Sequence, residues 1–230
     1  MVFSYWQTYQ GTDIFRDESR KAYSYKTSYV SLDADGTPRA YHPDNTGLDD
    51  LANAGYPHKG WRGVLVTDPA DPARPLVREG GPYAGYFISK TSLHDPDREE
   101  TDPLKYVDSE TIPYIVLPGA FYAQAGTGYV GNLALARRSD GAMETAAIIA
   151  DIGPPKAPLG EMSLRLATAL GGTSPNPRTG KGAPKGEFEY IVFPRAGKAF
   201  RTWPRSAAEI SEAARALLDE AGGWPVHYVG

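Results

Sequence analysis

Alternating polar and apolar residues predict a series of short strands along the chain. From Tyr23 to Leu32, odd and even positions separate into two faces, as the period of two in a strand requires. Asp33-Ala34-Asp35-Gly36 predicts a turn, and a short strand at 39–41 would complete a hairpin-like start. Further strands are predicted at 61–67, 85–91, 112–117, 129–136, 142–152 and 188–193.

Three short helical segments interrupt this pattern. One or two helical turns are expected within 47–54, and a second helix is expected over 163–170, stopped by a pair of glycines. The last helix, at 207–221, starts at a capping box of Ser206 and Glu209. Its apolar residues form one stripe, so we expect it to pack on the sheet or barrel.

Length and composition fit a single globular domain. The 230 residues include 25 Gly, 20 Pro and 15 Tyr, which favours turns and aromatic strands over a helical bundle. The fold class is therefore predicted to be mainly β with a few short helices. Residues 1–22 have no clear period and are expected to form an irregular arm, followed by one catalytic-type domain over 23–230.

Charge and residue usage exclude several classes of function. A net charge of −4 argues against a general nucleic-acid binder, because such proteins need a basic face. The same charge suits a cationic polymer, although it also serves simple solubility. With no Cys, neither a disulfide framework nor a Cys-ligated zinc site is possible. The sequence has neither a signal-peptide pattern nor a membrane-spanning run, so the location is undetermined.

The sequence positions of two acidic residues suggest a catalytic pair of carboxylates. Asp151 closes the apolar run 146–150, which predicts a strand buried on both sides, and Glu161 lies ten residues further on. A buried carboxylate is costly unless it is paired, hydrogen-bonded or used. Glycoside hydrolysis uses one carboxylic acid to protonate the leaving oxygen and one carboxylate to activate water. The structural alternatives are a turn-capping Asp151 and a Glu161 that stabilises a helix dipole.

Several ordered motifs resemble the fungal-type chitosanases, glycoside hydrolase family 75, in their bacterial branch. The resemblance spans about residues 23–195. Its motifs are Leu32–Asp44 (LDADGTPRAYHPD), Gly47–Gly55 (GLDDLANAG), Val107-Asp108, Ile112–Pro118 (IPYIVLP), Ala150–Pro154 (ADIGP), Gly160–Ser163 (GEMS) and Tyr190–Phe193 (YIVF).

The resemblance implies an inverting hydrolase built on a β-barrel related to the double-psi barrel. Family members use an Asp that closes a strand and a Glu in a G-E-x-S segment, and Asp151 and Glu161 occupy those positions. Fungal members carry cysteines and secretory leaders, and their Asp-to-Glu loop is longer. We assign Glu161 as general acid and Asp151 as general base. A helix N-terminus would lower the pKa of Glu161, whereas a general acid needs it raised, so reversed roles stay open.

A second acidic cluster and one lysine are further candidates for substrate binding. Asp33 and Asp35 would bind ammonium groups of the sugar or support the catalytic pair, or else form an Asx turn. Lys26 would pair with Asp33, Asp35 or Asp151, or else lie exposed at a strand edge.

Three aromatic residues complete the candidate site. Tyr114 and Tyr129 would stack on sugar rings or form hydrogen bonds to sugar hydroxyls, although packing is the commoner role of a tyrosine. His42 lies in the Tyr41-His42-Pro43 motif, and the four histidines show no metal-ligand spacing. No metal and no cofactor are predicted.

The sequence thus predicts an inverting endo-chitosanase that cleaves β-1,4-linked glucosamine polymer as a monomer. Arg178, Lys181 and Lys185 in the long loop 173–186 would repel such a polymer and suit one that carries carboxylates. A peptidoglycan-cleaving cell-wall hydrolase or effector is therefore one alternative. A non-catalytic carbohydrate-binding barrel is the other.

Overall fold

A computed structural model of the chain describes residues 2–19, 21–195 and 201–229. The strands are β1 (Val2–Tyr9), β2 (Thr12–Asp17), β3 (Tyr23–Thr27), β4 (Ser31–Asp33), β5 (Tyr114–Pro118), β6 (Leu133–Arg138), β7 (Glu144–Gly153), β8 (Glu161–Ser163), β9 (Phe188–Phe193) and β10 (His227–Val229). The helices are α1 (Gly119–Tyr122), α2 (Leu164–Ala169) and α3 (Ala207–Glu220), with 3-10 turns at Lys59–Gly63 and Pro103–Lys105.

The strands form one mixed sheet in the order β10-β1-β2-β3-β9-β6-β7-β5-β8-β4. Most neighbours are antiparallel, and the parallel pairs are β1–β10, β5–β7 and β4–β8. The fold is mainly β with short helices, as the sequence predicts. In the described ranges no helix has both the length and the apolar character needed to cross a membrane.

Strand β7 is buried on both faces, which confirms the prediction from its apolar run. Ala147 and Ile149 pack into one hydrophobic cluster with α2, whereas Ala146, Ile148 and Ala150 pack into a second cluster beneath α3. The C-terminal helix is confirmed too. Both hydrogen bonds of its capping box are present at Ser206 and Glu209, and its apolar stripe buries Ile210, Ala214 and Leu218.

The prediction of an irregular N-terminal arm is wrong. The described part of this segment forms a β-hairpin. Strands β1 and β2 pair across a turn at Gln10-Gly11, where φ is positive at both residues. Phe3 and Ile14 are fully buried. A register shift between Tyr5 and Gln7 explains the wrong prediction, because a bulge interrupts the period of two on which the prediction depends.

The segment between β4 and β5 also differs from the prediction. The expected strands at 39–41, 61–67 and 85–91 are turns, a 3-10 turn and isolated bridges such as Leu65–Ser89, and 47–54 forms turns rather than a helix. Their apolar side chains build a third hydrophobic cluster that includes Trp61, Leu65 and Phe87. The apolar spacing therefore predicted correctly which side chains are buried. It did not predict that turns and loops, rather than regular strands, bring them into the core.

Removing the α3 cap should weaken the fold measurably. We expect Ser206→Ala to lower the free energy of unfolding by about 1 kcal/mol, because the Glu209 amide loses its acceptor. Urea denaturation checks this. Ser211→Ala, inside the same helix, is the control and should be neutral or slightly stabilising. Equal losses in both variants would show that the cap contributes nothing.

Candidate active site

A cleft of about 690 Å³ opens where β4, β5, β7 and β8 meet the loops that follow β4. Five acidic side chains line it: Asp33, Asp35, Asp49, Asp151 and Glu161. Among the described residues that line this cleft, none is Arg, Lys or His. The described lining of this cleft is therefore strongly acidic.

Asp151 and Glu161 belong to one row of residues that crosses the sheet. Val116 of β5 pairs with Asp151 of β7. On the other side of β5, Ile115 pairs with Met162 in antiparallel register, which places Val116 opposite Glu161. Asp151, Val116 and Glu161 all line the cleft. Two strand spacings separate the two acidic residues, roughly 10 Å between backbones.

Glu161 lies in a strand, not at the first turn of a helix. It begins β8, and α2 starts only after its N-cap residue, Ser163, whose side chain accepts a hydrogen bond from the Leu166 amide. The alternative interpretation of Glu161 as a helix-dipole acid is therefore wrong. The conflict between a helix dipole and a raised pKa disappears with it.

Asp151 is nine-tenths buried and richly hydrogen-bonded. Its Oδ1 atom accepts hydrogen bonds from the Ser92 amide (3.0 Å), the Ser92 hydroxyl (2.5 Å) and the Ile152 amide (2.8 Å). Burial raises the pKa of Asp151, and these three donors oppose the rise by stabilising the ionised form.

Among the described residues, none donates a hydrogen bond that stabilises the ionised form of Glu161. Burial, followed by the charges of Asp151 and Asp49, raises the pKa of Glu161 to about 7. Its carboxylate passes close over Gly153, where a Cβ atom would lie 2.7 Å from Oε2. Glycine at 153 therefore leaves the space that the Glu161 carboxylate occupies.

Asp33 and Asp35 form an Asx turn and also face the cleft, so both interpretations of this motif hold geometrically. The Asp35 amide donates to Asp33 Oδ1 (2.8 Å), and the Ser89 hydroxyl donates to Asp35 Oδ1 (2.9 Å). Gly36 follows with φ +76, and a Cβ there would lie 2.0 Å from the Val107 carbonyl oxygen. Burial first, then neighbouring carboxylates, raise the pKa of both aspartates well above the usual range.

Three of these carboxylates lie close together. Asp33, Asp35 and Asp151 each present an oxygen within 4.8 Å of the others. Like charges at such a distance, away from bulk water, cannot all persist without compensation. The sequence analysis predicted no metal here, and that stays a prediction.

Asp49 was missed by the sequence analysis. It is 3% exposed, and its carboxylate accepts hydrogen bonds from the Asp50 amide (2.7 Å), the Asn53 amide group (2.9 Å) and the Tyr41 hydroxyl (3.4 Å). Burial raises its pKa. The motif 47–55 contains Asp49, but nothing in the sequence separates it from Asp50, which instead pairs with Arg178.

The prediction that Lys26 and Tyr114 belong to the substrate site is wrong, because neither residue lines the cleft. Lys26 is the exposed residue of β3 and extends over the Tyr228 ring at 5.3 Å, so it pairs with none of the cleft aspartates. Tyr114 is fully buried, and its hydroxyl donates to the Asp35 carbonyl oxygen (3.0 Å). It therefore supports the aspartate turn from below and cannot stack on a sugar.

Tyr129 and His42 are not among the residues that line the cleft, although His42 directly follows Tyr41, which does line it. Tyr129 is 45% exposed in the loop before β6, where the Arg201 guanidinium stands 4.9 Å from its ring centroid. The His42 ring packs edge-on against Tyr86 at 4.9 Å, and its Nδ1 accepts from the Asp44 amide.

The basic residues of the loop 173–186 do not line the cleft, although the charge of Arg178 lowers the pKa of Asp49 in part. Arg178 donates to the carbonyl oxygens of Asn45, Gly47 and Asp49, which fastens the loop to the segment carrying Asp49. Lys181 and Lys185 are exposed and do not line the cleft. We therefore expect this loop to repel a cationic polymer less than the sequence alone suggests.

No protein-family model matches the sequence, and no curated protein was found that matches it.

The raised pKa of Glu161 should make the protein less stable at higher pH. The folded state favours protonated Glu161, so this contribution is fully present below the unfolded pKa of about 4.3 and is lost as pH rises through about 7. We expect Glu161→Gln to gain about 1–3 kcal/mol over the wild type between pH 4 and pH 8 by denaturant unfolding.

The other cleft carboxyls are present in both proteins, so their titration largely cancels in the difference. Glu212→Gln, at an exposed position of α3, is the control and should give a flat difference. A flat difference for Glu161→Gln as well would show that Glu161 titrates as an ordinary surface glutamate.

Proposed function

We propose that the protein is an inverting glycoside hydrolase in which Glu161 is the general acid and Asp151 the general base. The observation that carries the proposal is the shared row across β7, β5 and β8, which directs two carboxylates of unequal environment into one cleft. Their backbone separation of roughly 10 Å suits carboxyl groups that must leave room for a water molecule. The motif resemblance to the fungal-type chitosanases supports the same pair.

The environment of each carboxylate favours the role assigned to it: Glu161 favours the protonated form, and three hydrogen-bond donors stabilise the ionised form of Asp151. Glu161, with a pKa of about 7, keeps a proton near neutrality and donates it to the glycosidic oxygen as the bond to the anomeric carbon breaks. Asp151 removes a proton from a water molecule whose oxygen bonds to the anomeric carbon on the opposite face. The products are a new reducing end and a free hydroxyl, and solvent returns both carboxyls to their starting states.

The charge of the cleft favours an amino-sugar polymer that carries free ammonium groups. Asp33, Asp35 and Asp49 lie beside the pair, and no described residue that lines the cleft is basic. A cationic group would relieve the repulsion among these carboxylates, whereas a substrate rich in carboxylates would add to it. We therefore propose a β-1,4-linked glucosamine polymer of the chitosan type, cleaved in its interior, ahead of peptidoglycan.

We also propose that the sheet is a variant of the double-psi barrel that the resemblance implies. The parallel pairs β4–β8 and β5–β7, which carry the cleft, support this relationship.

Removing either carboxylate should nearly abolish cleavage. We expect Asp151→Asn and Glu161→Gln each to lower the rate of new reducing ends from chitosan about 100- to 10,000-fold, the usual contribution of a positioned acid or base. Asp219→Asn and Glu212→Gln, both on the exposed face of α3, make the same chemical changes outside the cleft and should be silent.

The same assay on purified peptidoglycan separates the alternatives. Cleavage of peptidoglycan alone would move the substrate to cell-wall polymers. Cleavage of neither polymer by the wild type would reject the hydrolase, and binding without cleavage would favour a carbohydrate-binding module. Near-full activity in either cleft variant would reject the assigned pair.

A further inference from the structure

The segment before Asp95 holds Ser92 beside β7. The Leu93 amide donates to the Ala150 carbonyl oxygen (2.8 Å), and the Leu93 side chain is buried. The Thr91 hydroxyl donates to the Leu93 carbonyl oxygen (2.6 Å) and accepts from the Val107 amide (2.9 Å). Ser92 is thus fixed between two anchored residues, adjacent to the strand position that carries Asp151.

Ser92 binds only one of the two oxygens of Asp151. Its amide and hydroxyl both donate to Oδ1, and the Ile152 amide makes a third bond to the same atom. In the described part of the chain, no hydrogen bond ends on Oδ2. The arrangement fixes the carboxylate plane and leaves one oxygen available to accept a proton.

None of the titratable groups that face Asp151 stabilises its charge. They are Asp33 at the end of β4, Asp35 in the turn after it, Glu161 in β8 and Tyr114 in β5, and the charge of ionised Asp151 raises the pKa of each of them. No basic residue lines the described cleft to offset them. Neutral donors must therefore supply the stabilisation, and Ser92 contributes two of the three.

We propose that Ser92 is the positioning residue of the reaction: it holds Asp151 ionised through Oδ1, so that Oδ2 takes the proton from the attacking water. This inference rests on the proposed hydrolase function. Ser92 itself exchanges no proton and forms no bond to the sugar. Its hydroxyl strengthens the base because a hydrogen bond to an ionised group is worth more than one to a neutral group.

Ser92→Ala tests this role, because the variant removes the hydroxyl and keeps the amide donor. We expect the acid limb of the pH profile of kcat/KM on chitosan to move up by about one unit, since the ionised base loses one charge-assisted hydrogen bond. At pH 5 to 6, kcat should fall about tenfold with KM within about twofold, because substrate binding is not altered. Ser92→Thr restores a hydroxyl and should recover most of the wild-type profile.

Ser139→Ala is the matched control. Ser139 also donates its hydroxyl to a carboxylate, Glu187 (2.8 Å), but it lies exposed outside the cleft. We expect this variant to leave both limbs of the profile and kcat unchanged. A Ser92→Ala profile with an unshifted acid limb would overturn the proposal, even if activity fell, because a purely structural defect lowers the rate without moving that limb.

Carboxyl NMR of ¹³C-labelled protein gives a readout that needs no substrate. The Asp151 signal, assigned by its loss in Asp151→Asn, should titrate about one unit higher in Ser92→Ala than in the wild type. An unchanged titration would overturn the role of Ser92. A wild type that cleaves no polymer while this shift is present would reject the hydrolase function and leave the Ser92–Asp151 coupling established.

Discussion

Several carboxylates are buried around one cleft, and no described residue that lines this cleft is basic. This shortage of positive charge determines how each carboxylate of the site must be stabilised. Burial and mutual repulsion both favour the protonated forms, so every carboxylate that stays ionised needs its own donors. Asp151 has three on one oxygen, and Asp35 has the Ser89 hydroxyl. Glu161 has least support and keeps its proton to about pH 7. In the proposed reaction, this unequal hydrogen bonding distinguishes the general acid from the general base.

The sheet provides the geometry that this separation requires. Strand β5 lies between β7 and β8, and its residue Val116 spaces Asp151 from Glu161. Strand β7 is clamped between two hydrophobic clusters, one with α2 and the other beneath α3. A rigid support of this kind keeps the two carboxylates at a fixed spacing, as the proposed inverting reaction requires. The loops after β4 add Asp49 and Ser92 from outside the sheet.

Local signals in the sequence predicted the elements whose causes are local. The apolar run before Asp151 predicted a doubly buried strand, and the Ser206–Glu209 capping box predicted α3. The sequence did not predict a role for Ser92, because its hydrogen-bond partner Asp151 is 59 residues away and no local pattern indicates that contact. Glu161 was placed at a helix start because the strand that precedes α2 has three residues, too few to show a period. The hairpin of residues 2–17 was not predicted, because its bulge interrupts the alternation of residues that indicates a strand.

The stereochemistry of cleavage tests the central claim most directly. If Asp151 activates water on the face opposite the proton donated by Glu161, a β-linked glucosamine oligomer must release the α-anomer at its new reducing end. Proton NMR of the anomeric signals in the first minutes, before mutarotation, measures this. We expect the α-anomer to appear first and the β-anomer to follow at the rate of mutarotation. Initial release of the β-anomer would mean retention through a covalent intermediate and would contradict the roles assigned to both carboxylates.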